Sequence, residues 1–292
     1  MKNHKNSREI SDLQDQIQQM EREVRLRKEE INILRSVFLK HIPHEIRTPM
    51  NSIVGFSTLL AKSRLSDEER MEYLHHINAS SEELLMVLDN LIDMALLHSG
   101  QISLEPGEFL LEKLFAELHQ KFDDYRIGMG NGRIVMHHEI AEPLRSKFVK
   151  TDRHRLKQVL VHLIQNAFKF TQKGTINFRC YPDDADRVGF TVSDTGKGIT
   201  TSDTLHIFDS FRKQEGPPSE KNRGLGLGLS ISRELVEMLG GQLIYEPNKP
   251  HGSIFRFSLP LVILEGKIGI QLDRTQTKIT RHVTKSGNGL AI

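Results

Sequence analysis

Phe38-Leu-Lys-His-Ile-Pro-His44-Glu45-Ile-Arg47-Thr48-Pro49-Met-Asn-Ser-Ile-Val-Gly-Phe-Ser-Thr-Leu-Leu60 reads as one amphipathic helix. Ile42, Ile46, Pro49, Ile53, Phe56 and Leu60 recur at spacings of four, three, four, three and four, which is a single buried stripe. At about 100° per residue, His44 points away from that stripe, and Thr48, one turn on, shares its exposed face. A histidine displayed beside a carboxylate, Glu45, is a candidate nucleophile. Taken alone it is weak, because a surface histidine in a chain with 14 of them is usually just solvated. His44-Glu45 opens the zinc-protease pattern His-Glu-x-x-His, but the fifth residue is Thr48. His41 and His44 form an i, i+3 pair with no further ligand pattern to make a metal site.

Upstream, Ile10, Ile17, Val24, Ile31 and Phe38 stand seven apart, with Leu13, Met20 and Leu34 on the alternate seam. That predicts a parallel dimeric coiled coil. After Leu34 the spacing becomes four, four, four, a stutter that unwinds a supercoil and falls across His44. Pro49 lacks the N–H that would bond Glu45's carbonyl, so a kink is expected one turn past the histidine.

Downstream, Ser66-Asp67-Glu68-Glu69 is a capping box. Leu74, Ile77, Ser81, Leu84, Leu88, Leu91 and Ala95 continue a helical stripe, and Gly100 is a natural stop. A lone hairpin cannot bury both stripes, whereas two copies can, as a four-helix bundle. The chain has 292 residues, 37% of them apolar, and a net charge of +2, with no bulk electrostatic footprint for nucleic acid. The single cysteine, Cys180, excludes an internal disulfide, suits a reducing compartment and reads as packing. No apolar run reaches the ~20 residues of a membrane span, so the segment is expected to be cytoplasmic, without membrane contact.

After Gly100 the pattern turns to mixed helix and strand. Helices are expected at Glu108–Phe122, Asp152–Phe170 (capped by Asp152) and Leu229–Leu239. Strands are expected at Arg133–Ile140, Thr175–Tyr181, Arg187–Ser193, Gln242–Tyr245 and Ser253–Leu259, with Leu261–Ile270 also strand-like. The fold class is α+β: a dimeric antiparallel helical hairpin with an N-terminal coiled coil, followed by an α/β sandwich. The expected divisions are a coiled-coil linker at 1–37, the hairpin domain at 38–100, the sandwich domain at 101–262 and a tail at 263–292.

Three stretches of the sandwich domain carry chemistry. Asn166-Ala-Phe-Lys169-Phe170 sets a hard amide oxygen, of the kind Mg²⁺ accepts, one turn from an ammonium suited to phosphate. Asp194-Thr-Gly196-Lys-Gly198 ends a strand, and its carboxylate can accept from an exocyclic amine where glycines admit a ligand. Alone, it would more often be a plain turn. Gly224-Leu-Gly226-Leu-Gly228 leads into a helix, an anion site for phosphates. No strand precedes it, so the dinucleotide-fold reading fails. Phe208-Asp-Ser-Phe211 and the polar stretch Arg212 to Arg223 read as a lid.

Together these residues resemble the sensor histidine kinases of two-component signal transduction. His44-Glu45-x-Arg47-Thr48-Pro49 is similar to their phospho-acceptor box, and Asn166-Ala-x-Lys169-Phe170-Thr171 to the N box. Asp194-x-Gly196-x-Gly198, Phe208 to Phe211 and Gly224-x-Gly226-x-Gly228-Leu resemble the G1, F and G2 boxes. The match runs from about Phe38 to Pro260. It implies a homodimeric hairpin carrying His44, a Bergerat-type ATP-binding domain, ATP and Mg²⁺ as cofactors, and a response-regulator receiver domain as partner. By resemblance, Asn166 holds Mg²⁺, Lys169 meets phosphate, Phe170 lies by the base and Asp194 accepts from adenine. Glu45 fixes the tautomer of His44, and Thr48 orients a water for dephosphorylating the partner.

Two residues depart from the family. His162 stands where an asparagine is usual, four residues before Asn166, and puts Mg²⁺ binding in question. Pro43, where a small polar residue is usual, suits the first position of a new helix. The competing readings are a catalytically weak ATP-binding scaffold or phosphatase-biased relative, and an ATPase of the chaperone or mismatch-repair kind. The latter kind lacks the histidine hairpin.

Overall fold

The computed structural model of the chain describes residues 17–22, 25, 42–62, 65–128, 132–184, 186–211 and 225–268. The heptads expected upstream of Phe38 lie almost wholly outside the described residues, as do Gly224 and the stretch Arg212 to Arg223. Residues 17–22 are helical and exposed.

Helix α1 (42–60) runs through Pro49 without a break, so the expected kink does not interrupt it. Local hydroxyls engage carbonyls on either side of the proline. Thr48 Oγ1 donates to the His44 carbonyl at 3.1 Å, and Ser52 Oγ to the Thr48 carbonyl at 3.3 Å. Helix α2 (Asp67–His98) opens on the reciprocal Ser66/Glu69 box and closes at Gly100, whose φ of +64° turns the chain out of the helix. The two helices pack antiparallel, with Phe56 stacked on His76 at 4.4 Å and 5.7 Å from Tyr73. Even so, Met50, Val54, Met71, Leu85 and Ile92 stay 48% to 66% exposed. Only Val87, Asp93 and Met94 of α2 are buried, so the hairpin's apolar surface is half uncovered.

The rest of the chain forms two sheets. Strands β1 (Gly107–Leu110), β3 (Lys147–Thr151) and β8 (Val262–Ile268) make an antiparallel sheet in the order β1-β3-β8. Strands β2 (Ile134–Ile140), β4 (Gly174–Asp184), β5 (Arg187–Asp194), β6 (Ile244–Pro247) and β7 (Ser253–Pro260) form the larger sheet, ordered β2-β4-β5-β7-β6. The pair β2/β4 is parallel and the other pairs antiparallel. Helices α3 (Leu111–Gly128), α4 (Arg153–Phe170) and α6 (Gly228–Met238) complete the layer, with a short turn of helix, α5 (Thr201–Thr204), between β5 and α6.

Strand alternation builds the core. Ile176, Phe178 and Cys180 of β4 face Val188, Phe190 and Val192 of β5 and Phe255, Phe257 and Leu259 of β7, all buried. Leu114, Phe115 and Leu118 of α3 and Leu156, Leu160 and Leu163 of α4 close over them. Phe115 meets Phe178 at 5.2 Å, and Phe190 stacks on Phe257 at 5.0 Å. Cys180 sits inside this layer, and burial pushes its thiol up to about 12.

Two expected elements and one boundary are corrected, and strands β1 and β3 are added. The helix expected from Glu108 begins at Leu111, because Gly107–Leu110 pairs with β3 at Phe109↔Val149. Strand β3 itself was not anticipated. Strand β6 lies at Ile244–Pro247, two residues later than expected, with Tyr245 opposite Phe255. Strand β8 crosses the boundary expected after residue 262 and pairs with β3, so the sheet extends to Ile268. No helix among the described residues is long and apolar enough to cross a membrane.

Candidate functional site

Asp194 ends the inward-facing row of β5. Two-residue alternation from Val188, Phe190 and Val192 carries its side chain to the helix side of the sheet, where it is 5% exposed. Its Oδ1 accepts from the Gly196 N–H at 2.8 Å, and Ser253 bonds it through both backbone and hydroxyl. Burial raises its carboxyl above the usual range, opposed by those donors. A Cβ on Gly196 would stand 2.4 Å from the Phe170 carbonyl, so the loop passes the end of α4 closer than a side chain allows. Gly198, with φ +72°, continues that loop.

Helix α4 presents two faces. Leu156, Val159, Leu160, Leu163, Ile164 and Ala167 are buried in the core. Beside them runs a polar stripe, Arg155, Gln158, His162, Asn166 and Lys169, at spacings of three, four, four and three. Asn166 is half-buried, and its side chain has no hydrogen-bond partner among the described residues. Lys169 Nζ lies 5.1 Å from the Phe170 ring, and Lys197 Nζ lies 4.8 Å from the same ring. The backbone of Lys197 also donates to the Phe170 carbonyl at 3.3 Å. Two ammonium groups therefore flank one aromatic ring between Asn166 and the Asp194 loop.

His162 is buried against α6. Its Nδ1 lies 3.3 Å from Ser232 Oγ, its ring bonds the Gly228 carbonyl, and a Cβ on Gly228 would sit 3.7 Å from its Cγ. Burial lowers its pKa from 6.5 to about 4, against the opposing pull of Asp93 and the Gly228 carbonyl. The imidazole is therefore a neutral packing group between α4 and α6. Because the folded pKa is depressed, the unfolded chain binds a proton first as pH falls below 6.5. Stability is then lost down to about pH 4, in all about 3 kcal/mol. His162→Asn is expected to remove that loss. Urea unfolding at pH 7.5 and pH 5 should show the variant gaining about 2 kcal/mol on the wild type at the lower pH.

Helix α6 begins differently from α2 and α4. Ser66 caps α2 and Asp152 caps α4, but α6 has no side-chain cap, and its serines turn away from the orphan amides. Ser230 Oγ donates to the Leu227 carbonyl and Ser232 Oγ to that of Gly228. Gly226, with φ +71°, leads into this open end, and the Phe211 N–H bonds its carbonyl at 3.2 Å. Phe208 packs edge-on to Phe255 beneath Arg233. Uncapped amides behind glycines have the polarity to receive an anion.

The expected site residues thus fall into two groups. Asn166, Lys169, Phe170, Asp194, Gly196, Gly198, Gly226 and Gly228 surround the junction of α4, β5 and α6. His44, Glu45 and Thr48 stand on α1, with the histidine exposed and the other two half-buried. Sequence reasoning missed Lys197 and the β6–β7 turn that buttresses Asp194. Asn248 Nδ2 donates to the Asp194 carbonyl at 2.8 Å, and a Cβ on Gly252 (φ +116°) would stand 1.9 Å from that oxygen. The turn signal Asn248-Lys-Pro-His-Gly252 was present, but its partner lies over fifty residues away.

Residues 34–100 match the His Kinase A (phospho-acceptor) domain, and residues 151–263 the histidine kinase-, DNA gyrase B-, and HSP90-like ATPase domain. The chain is 33% identical over 239 residues to the sensory/regulatory protein RpfC of Xanthomonas campestris pv. campestris, a match covering 80% of this chain and 32% of that one. Among solved structures it resembles full-length ShkA in complex with AMPPNP, with a TM-score of 0.56 and 27% identity over 76% of this chain and 45% of that one. It also resembles the histidine kinase ThkA in complex with the response regulator protein TrrA, with a TM-score of 0.53 and 29% identity over 81% of this chain and 64% of that one. The chain spans about a third of the length of the curated relatives it matches. A phospho-acceptor hairpin followed by an ATPase fold of this kind makes the chain a member of the sensor histidine kinases.

Proposed function

We propose that this chain is the core of a homodimeric protein-histidine kinase. It moves the γ-phosphoryl group of ATP to His44 and then to an aspartate of a response-regulator receiver domain. The observation that carries the reading is the open N-terminus of α6 behind Gly226 and Gly228, beside a buried carboxylate with an acceptor to spare. The AMPPNP complex of ShkA and the response-regulator complex of ThkA support the same assignment by likeness.

In this reading Asp194 accepts from the adenine amine, and Gly226, Gly228 and the α6 amides hold the phosphates. Lys169, joined by Lys197, draws the γ-phosphoryl charge. Gly224, outside the described residues, belongs to the same glycine series. A half-buried amide with no protein partner fits Mg²⁺, which keeps several waters and takes one or two protein ligands beside phosphate oxygens. Asn166 would hold that ion, whose chemistry is to neutralise charge on the transferring group. His162 is committed to α6 and contributes no ligand.

The displayed His44 nitrogen attacks phosphorus, an N–P bond forms, the bridging P–O bond breaks and ADP leaves. Glu45 holds the other ring nitrogen and so selects the tautomer. Thr48, its hydroxyl hydrogen already given to the His44 carbonyl, keeps an oxygen free to orient a water in the reverse, regulator-dephosphorylating step. The uncovered apolar residues of α1 and α2 fit a second hairpin, completing a four-helix bundle.

Incubating the full chain with γ-labelled ATP and Mg²⁺ tests this. The expected product carries label that is labile to acid and stable to alkali. Bound nucleotide without any label would instead favour the scaffold or phosphatase-biased reading.

A further inference from the structure

Two apolar rows of the ATPase domain are interrupted by a histidine. Helix α3 buries Leu111, Leu114, Phe115, Leu118 and Phe122. His119 stands beside that stripe, four residues after Phe115 and three before Phe122, and is half-buried. Strand β2 sends Ile134, Met136 and Ile140 inward, and His138 takes the remaining position of the row. The fold brings the two interruptions together. Their ring centres lie 4.7 Å apart, with the planes inclined at 56°. Phe178, opposite His138 in the β2/β4 register, approaches both rings, at 5.6 Å from His138 and 6.5 Å from His119.

Packing alone does not account for the pair. His119 Nδ1 is buried and has no hydrogen-bond partner among the described residues. A buried polar atom left unpaired is costly, and elsewhere the chain avoids that cost, since Nδ1 of the buried His162 meets Ser232. Burial and the neighbouring His119 lower the pKa of His138 below its usual 6.5, so at neutral pH this ring is uncharged and keeps a nitrogen lone pair. Two imidazoles brought face to face in this state call for a shared partner that accepts electron pairs or donates protons. A metal ion does the first and a water molecule the second.

The separation of the rings suits a metal. Two imidazoles bound to one ion through bonds of about 2.0–2.1 Å have centres about 4.5 Å apart at a right angle and about 5.2 Å apart at the tetrahedral angle. The observed 4.7 Å falls between these, nearer the right angle of tetragonal Cu²⁺ and Ni²⁺ sites. Strand β2 lies at the edge of its sheet and His138 is exposed, so water reaches the pair and can fill the other coordination positions. Among the described residues no group of three His, Cys, Asp or Glu side chains could hold a metal ion, so the protein supplies two ligands here. Imidazole nitrogens without a carboxylate disfavour Mg²⁺ and Ca²⁺, which take oxygen ligands.

We propose that His119 and His138 form a two-imidazole site for a divalent transition-metal ion of the copper, nickel and zinc class, joining α3 to the edge strand β2. The site uses none of the residues at the α4–β5–α6 junction and does not depend on the kinase reading. Unfolding separates its two ligands, so a bound ion stabilises the domain.

The test titrates the full chain with Ni²⁺ by calorimetry and compares it with His119→Gln and His138→Phe. Glutamine keeps α3 helical, and phenylalanine continues the apolar row of β2 over Phe178. Nickel held by exposed histidines elsewhere is common to all three proteins, so the difference isolates the pair. The wild type is expected to bind one equivalent per chain that each variant binds at least tenfold more weakly. Millimolar Mg²⁺ should leave that equivalent within about twofold of its original affinity. Ni²⁺ should also raise the wild-type melting temperature relative to EDTA, and do so less in both variants. Melting in EDTA shows whether each variant folds, and because the substitutions lie on different elements, failure of one leaves the other to decide. Equal nickel stoichiometry and affinity in the wild type and a folded variant overturns the site and leaves a bridging water between the rings. Displacement of the wild-type equivalent by Mg²⁺ overturns it as well.

Discussion

His44→Gln is expected to reduce the acid-labile label to background, at least a thousandfold, while nucleotide affinity stays within twofold of wild type. The magnitude follows from the nature of the group. Every other candidate side chain adjusts a barrier, but the acceptor nitrogen is an atom of the product, and glutamine supplies no comparable nucleophile. The specificity of the loss follows from position. His44 stands exposed on α1, apart from the α4–β5–α6 junction, so its replacement leaves the Asp194 pocket and the α6 N-terminus intact. Glutamine is also a good helix former, and the Thr48 hydrogen bond goes to the backbone carbonyl of residue 44, so α1 should persist. Phosphoramidate label measured by alkaline gel, with binding of a fluorescent nucleotide in parallel, checks both halves. Undiminished label in His44→Gln would remove His44 as the acceptor and point to another of the exposed histidines.

The parts of the fold legible in the sequence are those whose pattern is local. The three-four spacing from Ile42 to Leu60, the Ser66/Glu69 box and the Asp152 cap each lie within one helix, and each element is found where its pattern put it. Strands β1 and β3 were not legible, because four or five residues carry too little periodicity and their identity rests on pairing Phe109 with Val149. The leading edge of the expected helix at Glu108 was lost to that pairing. The glycine motifs could be read because each joins a conformational demand to a neighbouring helix or strand end. The buttress of Asp194 by Asn248, Gly252 and Ser253 could not, since its meaning depends on which strand β7 lies beside. The same is true of Asp93, a polar residue within a helix until α4 arrives to bind it. His162 shows the reverse case. The sequence marked it as unusual, and its surroundings explain why a histidine is tolerated there: the ring is neutral, and Ser232 and Gly228 hold it.

Asp194→Asn is expected to weaken ATP binding at least a hundredfold, about 2.7 kcal/mol, without unfolding the domain. A carboxylate offers about four lone-pair sites. The Gly196 amide and the two donors of Ser253 fill three, leaving one aimed at a ligand amine. Asparagine can still accept from Gly196, but its NH₂ must then face either Ser253 or the nucleotide. A donor opposite the adenine amine forfeits a charge-assisted hydrogen bond, worth about 1.5–3 kcal/mol. The same change suits a purine with a 6-oxo acceptor, so ITP should lose far less affinity than ATP. Equal losses for both nucleotides would show that the carboxylate only holds the Gly196 loop. Stability should move the other way. Because burial raises the folded pKa of Asp194, the wild type loses stability as pH rises through that value and the carboxylate ionises inside the protein. Asparagine has no proton to lose. The melting temperature of the variant relative to wild type should therefore increase from acid to neutral pH, and a flat or falling difference would contradict a buried, ionised Asp194.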